Sequence, residues 1–316
     1  MSGKLYIGVT DNQWYHYLAA LRPPEANFWR PGAGSSFQVL SRGELFLFKL
    51  HSPLNYVVGG GYFVSYSCLP LSLAWDAFEQ RNGAPDYDSL WQKIALYRRG
   101  LGPVERDPTI GCIVLAEPFF IPEREWAPAP ADWGRSIVQG KSYEVTSEPG
   151  RRLLNQIAPW LPPVRVATPD GGVVEKRIGE EGARYGEETV IRPRLGQGGF
   201  RVAVIEAYSR RCSATGERVL PALEASHIRP YAADGPHAVE NGILLRSDLH
   251  NLFDRGYMTI TDDHHIEVSE RIKTEFHNGK EYLRLHGQAL VVTPELAIDR
   301  PSPEFIRWHN EHRYRG

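Results

Sequence analysis

The chain has 316 residues, a length that suits two ordinary domains; 42% are apolar, enough for real cores, and 23% are charged, as in soluble proteins. A net charge of −2 excludes a surface that binds nucleic acid throughout. No apolar run approaches the roughly 18 residues of a membrane span, so no membrane partner is expected. The N-terminus has neither the unbroken apolar stretch nor the cleavage site of a signal peptide, which makes the cytoplasm the expected location. Cys68, Cys112 and Cys212 form no CxxC pair, so neither a disulfide framework nor a structural zinc is expected, and they read as small buried residues.

In chain order, residues 1–145 are rich in aromatic, glycine and β-branched residues. GELFLFKL (43–50) and YFVSYS (62–67) alternate as strands do, and Gly59-Gly60-Gly61 between them reads as a turn or bulge. SLAWDAFEQRNGA (72–84) and DYDSLWQKIALYRRG (86–100) read as helices stopped by glycine, and TIGCIVLAEPFFI (109–121) as a buried strand. Strands with two inserted helices predict an α+β domain built on a strongly bent sheet or partial barrel, closed by KSYEV near residue 145. Residues 146–195 hold one amphipathic stretch, RRLLNQIAPW, among PDGG, EEGARYGEE and PRLGQGG, and read as a partly ordered linker.

A second domain is expected over 196–316. FRVAVIEAYSRRC (200–212) has helical spacing, ERVLPALEASHIRPY (217–231) reads as a short hairpin, NGILLRSDLHNLFDRG (241–256) as a strand or turn feeding a helix, and YMTITDDHHIEVS (257–269) as a hairpin around Asp262-Asp263. Residues 192–229 carry seven arginines against three glutamates, a local excess of the sign that meets phosphate.

Hydrolysis of a phosphodiester needs a group that activates water, a metal that neutralises charge on the phosphate, and a scaffold that aligns them. His227 ends a strand-like segment, Asn241 opens the next ordered one, and His250 follows nine residues later on the expected helix. A hairpin packed on that helix would gather all three around one divalent ion. Singly, each histidine would read as a satisfied buried residue; the joint pattern overrides that.

The segment CSATGERVLPALEASHIRPY…ENGILLRSDLHNLFDRG resembles the HNH nuclease superfamily, and within it the bacterial group with C-x-x-T-G, L-E-A-x-H-I-x-P and N-G-I-L-L-R-x-D-L-H-x-L-F-D-R-G. The resemblance implies a ββα-metal fold that cuts DNA with a divalent metal such as Mg²⁺ or Mn²⁺. His227 would be the general base, Asn241 would fix the loop between the strands, and His250 would be a metal ligand. Many relatives place Asp before the first histidine as a second ligand; here the position is Ser226. Glu224, on the face of Ser226, and Asp254, one helical turn after His250, are the candidate replacements. Relatives often add two CxxC pairs, of which only Cys212 remains, so the domain must rely on an apolar core of Leu223, Ile228, Leu244, Leu245, Leu249, Leu252 and Phe253. Arg194, Arg201, Arg229, Arg246 and Arg255 are the candidate DNA-backbone contacts, and the amides of the RLGQGGFR turn could also meet phosphate.

The stretch from Asn27 to Ala84 resembles the PUA-like superfamily, the EVE and ASCH relatives, whose members bind modified bases. Fused to an HNH domain, it implies a modification-dependent restriction endonuclease acting on double-stranded DNA with modified cytosine, 5-methyl- or 5-hydroxymethylcytosine. A base inspected on all sides must leave the stack, and its pocket needs aromatic walls and a few polar groups. Trp29, Tyr56, Tyr62 and Trp75, with Trp14, Tyr15 and Phe28 as further rings and Ser35, Ser36 and Asn55 as polar groups, are the candidates. One ββα site cuts one strand, so a double-strand break predicts a homodimer or two events. Two alternatives stay open: an HNH nickase without a modification requirement, and a binding-only protein with a degenerate site.

Overall fold

The computed structural model describes residues 3–32, 36–99, 105–167, 173–176 and 194–316 and divides into two compact units, Met1–Gly199 and Phe200–Gly316. Both mix helices with sheet, in the α+β class that the pattern predicts. No helix among the described residues is long and apolar enough to cross a membrane.

The first unit runs β1 (Lys4–Thr10), α1 (Asn12–Leu21), β2 (Glu25–Arg30), β3 (Leu45–Leu50), β4 (Tyr56–Pro70), α2 (Leu71–Phe78), α3 (Tyr87–Tyr97), β5 (Thr109–Phe120), β6 (Ala127–Pro128), β7 (Gly140–Glu144) and α4 (Glu148–Ile157), then a two-stranded ribbon of β8 (Val164–Ala167) and β9 (Val173–Lys176). Seven strands form one sheet in the order β2-β5-β4-β3-β1-β7, with β6 beside β4. β1 and β3 pair in parallel and the other neighbours are antiparallel. The period of two sorts side chains onto two faces. Leu5, Ile7, Leu45 and Leu47 join Tyr62 and Tyr143 in one core. Tyr6, Phe46 and Phe48 point the other way, into a ring cluster with Trp14, Phe28 and Phe37.

Strand β4 is long because it bends. Its register slips against β5 between Gly60 and Tyr62 and again between Phe63 and Ser65, as bulges do when they curve a sheet. The glycine run makes this possible: a Cβ on Gly59 would stand 2.2 Å from the Phe119 carbonyl oxygen. The expected linker is, in its first third, part of this unit. Helix α4 opens with the Ser147 side chain accepting from the Gly150 amide and buries Leu153 and Ile157 in the Leu5–Leu47 core, followed by Leu161. An amphipathic helix beside an open apolar sheet face buries its stripe there.

The second unit takes up helix α5 (Gln197–Ala207) from Phe200 onward and continues with β10 (Leu223–His227), β11 (Gly242–Arg246), α6 (Ser247–Asp254), β12 (Met258–Ile260), β13 (Ile266–Val268), α7 (Arg271–Phe276), α8 (Lys280–Leu283) and α9 (Pro303–His312). Residues 217–231 do not form a hairpin of their own. Only Leu223–His227 is strand, and it pairs with Gly242–Arg246. Pro221 and Pro230 flank that strand and cannot donate to a ladder. Leu223, Ile228, Leu244, Leu245, Leu249 and Phe253 are buried, while Leu252 is half-buried. After α6 the chain turns at Gly256, where φ is +75° and a Cβ would meet the Arg313 carbonyl at 1.9 Å. Asp262, Asp263 and His264 form the tip between β12 and β13, with His264 left-handed at φ 63°.

Candidate active site and aromatic cleft

The β10–β11 pair followed directly by α6 is a ββα unit. Its register sets Ser226 opposite Ile243 and His227 opposite Gly242. Successive side chains on β10 alternate, so Glu224 and Ser226 turn toward α6 while His227 turns away. Its ring lies parallel to Phe200, centroids 3.9 Å apart. Gly242 clears the space for that ring, since a Cβ there would stand 2.9 Å from Phe200 Cε2. His227 Nε2 is 2.9 Å from His237 Nδ1, and Tyr231 stacks on His237. Burial, then the neighbouring His237, push the His227 pKa down to about 4. The imidazole is therefore neutral at neutral pH, the state a general base requires. His237 carries no motif signal; it is one histidine in a loop, and only the folded loop sets it against His227.

His250 sits between two carboxylates. Its Nδ1 is hydrogen-bonded to Glu224, and its Nε2 lies 3.1 Å from Asp254, four residues on along α6. Burial opposes the imidazolium, but Asp254 and Glu224 outweigh it and the His250 pKa is raised. Ser226, buried, donates to Asp254 at 3.3 Å. A helix carboxylate thus stands against the strand position where relatives place an aspartate. Among the described residues no group of three or more His, Cys, Asp and Glu is arranged around a common centre. The reason is geometric: Glu224 and Asp254 meet opposite edges of one ring, and a single cation cannot reach both. A cation on the Nε2 edge would have His250, Asp254 and the Ser226 hydroxyl. Mg²⁺ asks little more, since it usually binds through one or two carboxylates, several waters and substrate phosphate. The donor set fits such an ion, with Glu224 in the outer place, accepting from the other ring nitrogen.

Asn241 is fully buried and accepts from the Arg229 amide at 2.8 Å while donating to the carbonyls of Arg229 and Pro236, both at 2.9 Å. It clamps both ends of the loop that carries His237. The arginines divide. Arg246 is bidentate to Asp248, at 2.7 Å through each nitrogen. Arg229 donates to the Ala233 carbonyl and lies over the Trp308 ring. Both are engaged within the fold, whereas Arg194 and Arg255 are exposed and Arg201 is half-buried. The glycine-rich turn is taken as well: the amides of Gly198 and Gly199 donate to the buried carboxylate of Glu25 at 2.9 and 2.7 Å, beside Arg81. An internal carboxylate occupies the donors that phosphate would need.

The candidates for a base pocket do not all converge. A cleft of about 230 Å³ opens on the ring-cluster face of the first unit, walled by Tyr6, Trp14, Phe28, Trp29 and Tyr97, with Asp11, Arg30 and Gln139 as polar groups. Of the described candidates Trp29, Trp14 and Phe28 line it, and the Trp29 indole donates to the Asn82 carbonyl at 3.0 Å. Tyr62 is core: it pairs with Leu45, shares its face, and donates to the Pro162 carbonyl. Trp75 packs edge-on to Tyr87. Asn55 and Tyr56 line a separate groove, Ser36 is exposed outside both, and Ser35 lies outside the described residues.

Residues 212–261 match the family model described as HNH endonuclease. Of solved structures, the chain is similar to ASCH from Zymomonas mobilis, at 10% identity over 48% of this chain and 94% of that one with a TM-score of 0.31. It is also similar to the modification-dependent TagI restriction endonuclease, at 14% identity over 93% of this chain and 76% of that one with a TM-score of 0.28. No curated protein matches the chain. The matched residues span the Cys212 turn, the ββα unit and the strand after it, so the C-terminal unit contains an HNH endonuclease domain and the chain is a nuclease.

Proposed function

We propose that the chain is a modification-dependent DNA endonuclease. A PUA-like domain over 1–145 reads a modified cytosine turned out of the duplex, and the HNH domain over 196–316 hydrolyses the backbone. The observation that carries the nuclease half is the pairing, on one ββα unit, of a neutral His227 with a His250 held between Glu224 and Asp254. His227 takes the proton of the attacking water as its oxygen bonds to phosphorus and a P–O ester bond breaks. Phe200 and His237 hold the ring in place for that transfer. A divalent cation, Mg²⁺ or Mn²⁺, held by His250 and Asp254, supplies charge neutralisation on the phosphate and leaving oxygen. Asn241 fixes the loop, and Arg255, exposed just after α6, is a candidate for a phosphate contact. The aromatic cleft supports the reader half, since it offers flat walls with a few polar groups, as an extruded base requires.

The test is cleavage of matched duplexes carrying cytosine, 5-methylcytosine, 5-hydroxymethylcytosine or its glucosylated form, with Mg²⁺ and with Mn²⁺. Cutting confined to one modified duplex is the expected result. Equal cutting of all four would leave a nickase without a reader. Binding without cutting under either metal would overturn the catalytic half.

A further inference from the structure

The first unit buries a cation with no anion beside it among the described residues. Lys49 is 2% exposed. It sits at the β3 end where the register against β4 shifts between Phe48 and Lys49. Its ammonium donates to the Leu50 carbonyl at 3.0 Å and to Asn55 Oδ1 at 2.8 Å, and lies 5.0 Å from the centre of the Trp133 ring. All three partners are neutral. The nearby carboxylate of Asp132 is turned to Lys141 and Tyr143 instead. Removing an ammonium from water costs several kcal/mol unless an opposite charge repays it. Burial accordingly holds the Lys49 pKa below its usual value.

Lys49 lines a groove of about 1020 Å³ that also presents His51, Asn55 and Arg135 and, among the described residues, has no Asp or Glu in its lining. Across the whole unit acidic and basic residues balance, and residues 1–150 carry 13 Lys and Arg against 15 Asp and Glu, so a lining free of carboxylates is not the average surface. Val9, His51 and Val138 belong both to this groove and to the aromatic cleft. Asn55, exposed and left-handed at φ 50°, covers the ammonium with a side-chain oxygen.

We infer that the groove is a phosphate site: Lys49 receives a backbone phosphodiester of the DNA, whose oxygen takes the place of Asn55 Oδ1, next to the nucleotide whose base enters the aromatic cleft. The placement of that nucleotide rests on the reader proposed above; the phosphate contact itself does not. The base is then selected by rings and its phosphate by one desolvated charge, an arrangement that adds affinity without sequence preference.

The experiment is equilibrium binding of the full chain to a short duplex with one 5-hydroxymethylcytosine and to its unmodified twin, in EDTA so that nothing is cut, across a salt series. Lys49→Met keeps the stem and removes the charge, and Lys49→Gln serves as a second neutral variant if Met fails to fold. Thermal melting accompanies both. Expected is a ten- to hundredfold loss of affinity, about what a charged hydrogen bond contributes. The salt dependence should flatten by roughly 0.9 in log–log slope, the share of one phosphate, with melting unchanged or raised. Unchanged affinity and slope with a lowered melting temperature would make Lys49 a structural tether and overturn the site. If wild type binds both duplexes equally and the Lys49 effect appears on both, the phosphate site stands and the modified-base reader falls.

Discussion

His250 in one unit and Lys49 in the other are satisfied in opposite ways. In the nuclease unit the charged groups around the motif are matched: His250 lies between Glu224 and Asp254, and Arg246 is clasped by Asp248. In the first unit Lys49 is buried among neutral groups only. A matched set holds its geometry before substrate arrives, which suits chemistry. An unmatched charge is satisfied only when a ligand arrives, which suits recognition. On the proposed reading, the contrast makes catalysis preorganised and leaves binding incomplete.

The sharpest way to break this comparison is His227→Ala. Cleavage should fall by about 10²- to 10⁴-fold, the range of a general base, while DNA affinity stays as in wild type; a mutant that cuts normally removes His227 from the chemistry. Next in size is acid sensitivity. His309 is buried between Thr259 and the Phe253 carbonyl, and burial holds its pKa down to about 4. Its unfolded value is 6.5, so the unfolded chain binds the extra proton between these limits. The contribution is complete above pH 6.5 and is lost as pH falls toward 4, about 3 kcal/mol in all. Urea midpoints at pH 7 and 5 should differ accordingly, and His309→Asn should flatten the dependence. A wild type with equal midpoints would show that the second unit does not bury histidines neutral.

Smaller is Glu224→Gln. If Glu224 orients His250 from the outer place, metal affinity should drop about 10- to 100-fold, and excess Mn²⁺ should restore cleavage. Loss that no metal concentration repairs would make Glu224 a direct ligand. Smallest is Trp29→Phe, which keeps a ring and removes the indole donor to Asn82. We expect a few-fold loss of preference for modified DNA, below the tenfold of 1.4 kcal/mol, with cutting of the preferred duplex nearly unchanged. Unchanged preference would take Trp29 out of the pocket.

The ββα unit was legible because its parts are local. His227, Asn241 and His250 fall within 24 residues, and the clamp role expected of Asn241 matches the bonds its side chain makes. His237 was hidden because a lone loop histidine has no period or spacing to mark it. The first unit was legible in its strands but not in its cleft. Tyr6, Trp29, Tyr97 and Gln139 are brought together by a sheet in which β1 runs beside both β3 and β7, pairings no local pattern specifies. Tyr62 shows the cost of not knowing register: its face is fixed by pairing with Leu45, and that face is the core. Lys49 stands near the end of a strand whose alternation looked ordinary; its neutral partners come from Leu50, Asn55 and the distant Trp133, which only the fold brings together.

Asn241 has one more consequence, in the ageing of the protein. It precedes Gly242, and Asn-Gly is the dipeptide in which the following amide most readily attacks the side chain to close a succinimide, because glycine offers no hindrance. In the folded chain the Asn241 side chain is immobilised by its three hydrogen bonds and Gly242 is held extended in β11, so ring closure is blocked. At this position only unfolded molecules deamidate. A chain that refolds with aspartate at 241 would set a carboxylate oxygen against the carbonyls of Arg229 and Pro236, where an amide once donated. Each excursion from the native state therefore carries a chance of irreversible damage at the residue that clamps the His237 loop.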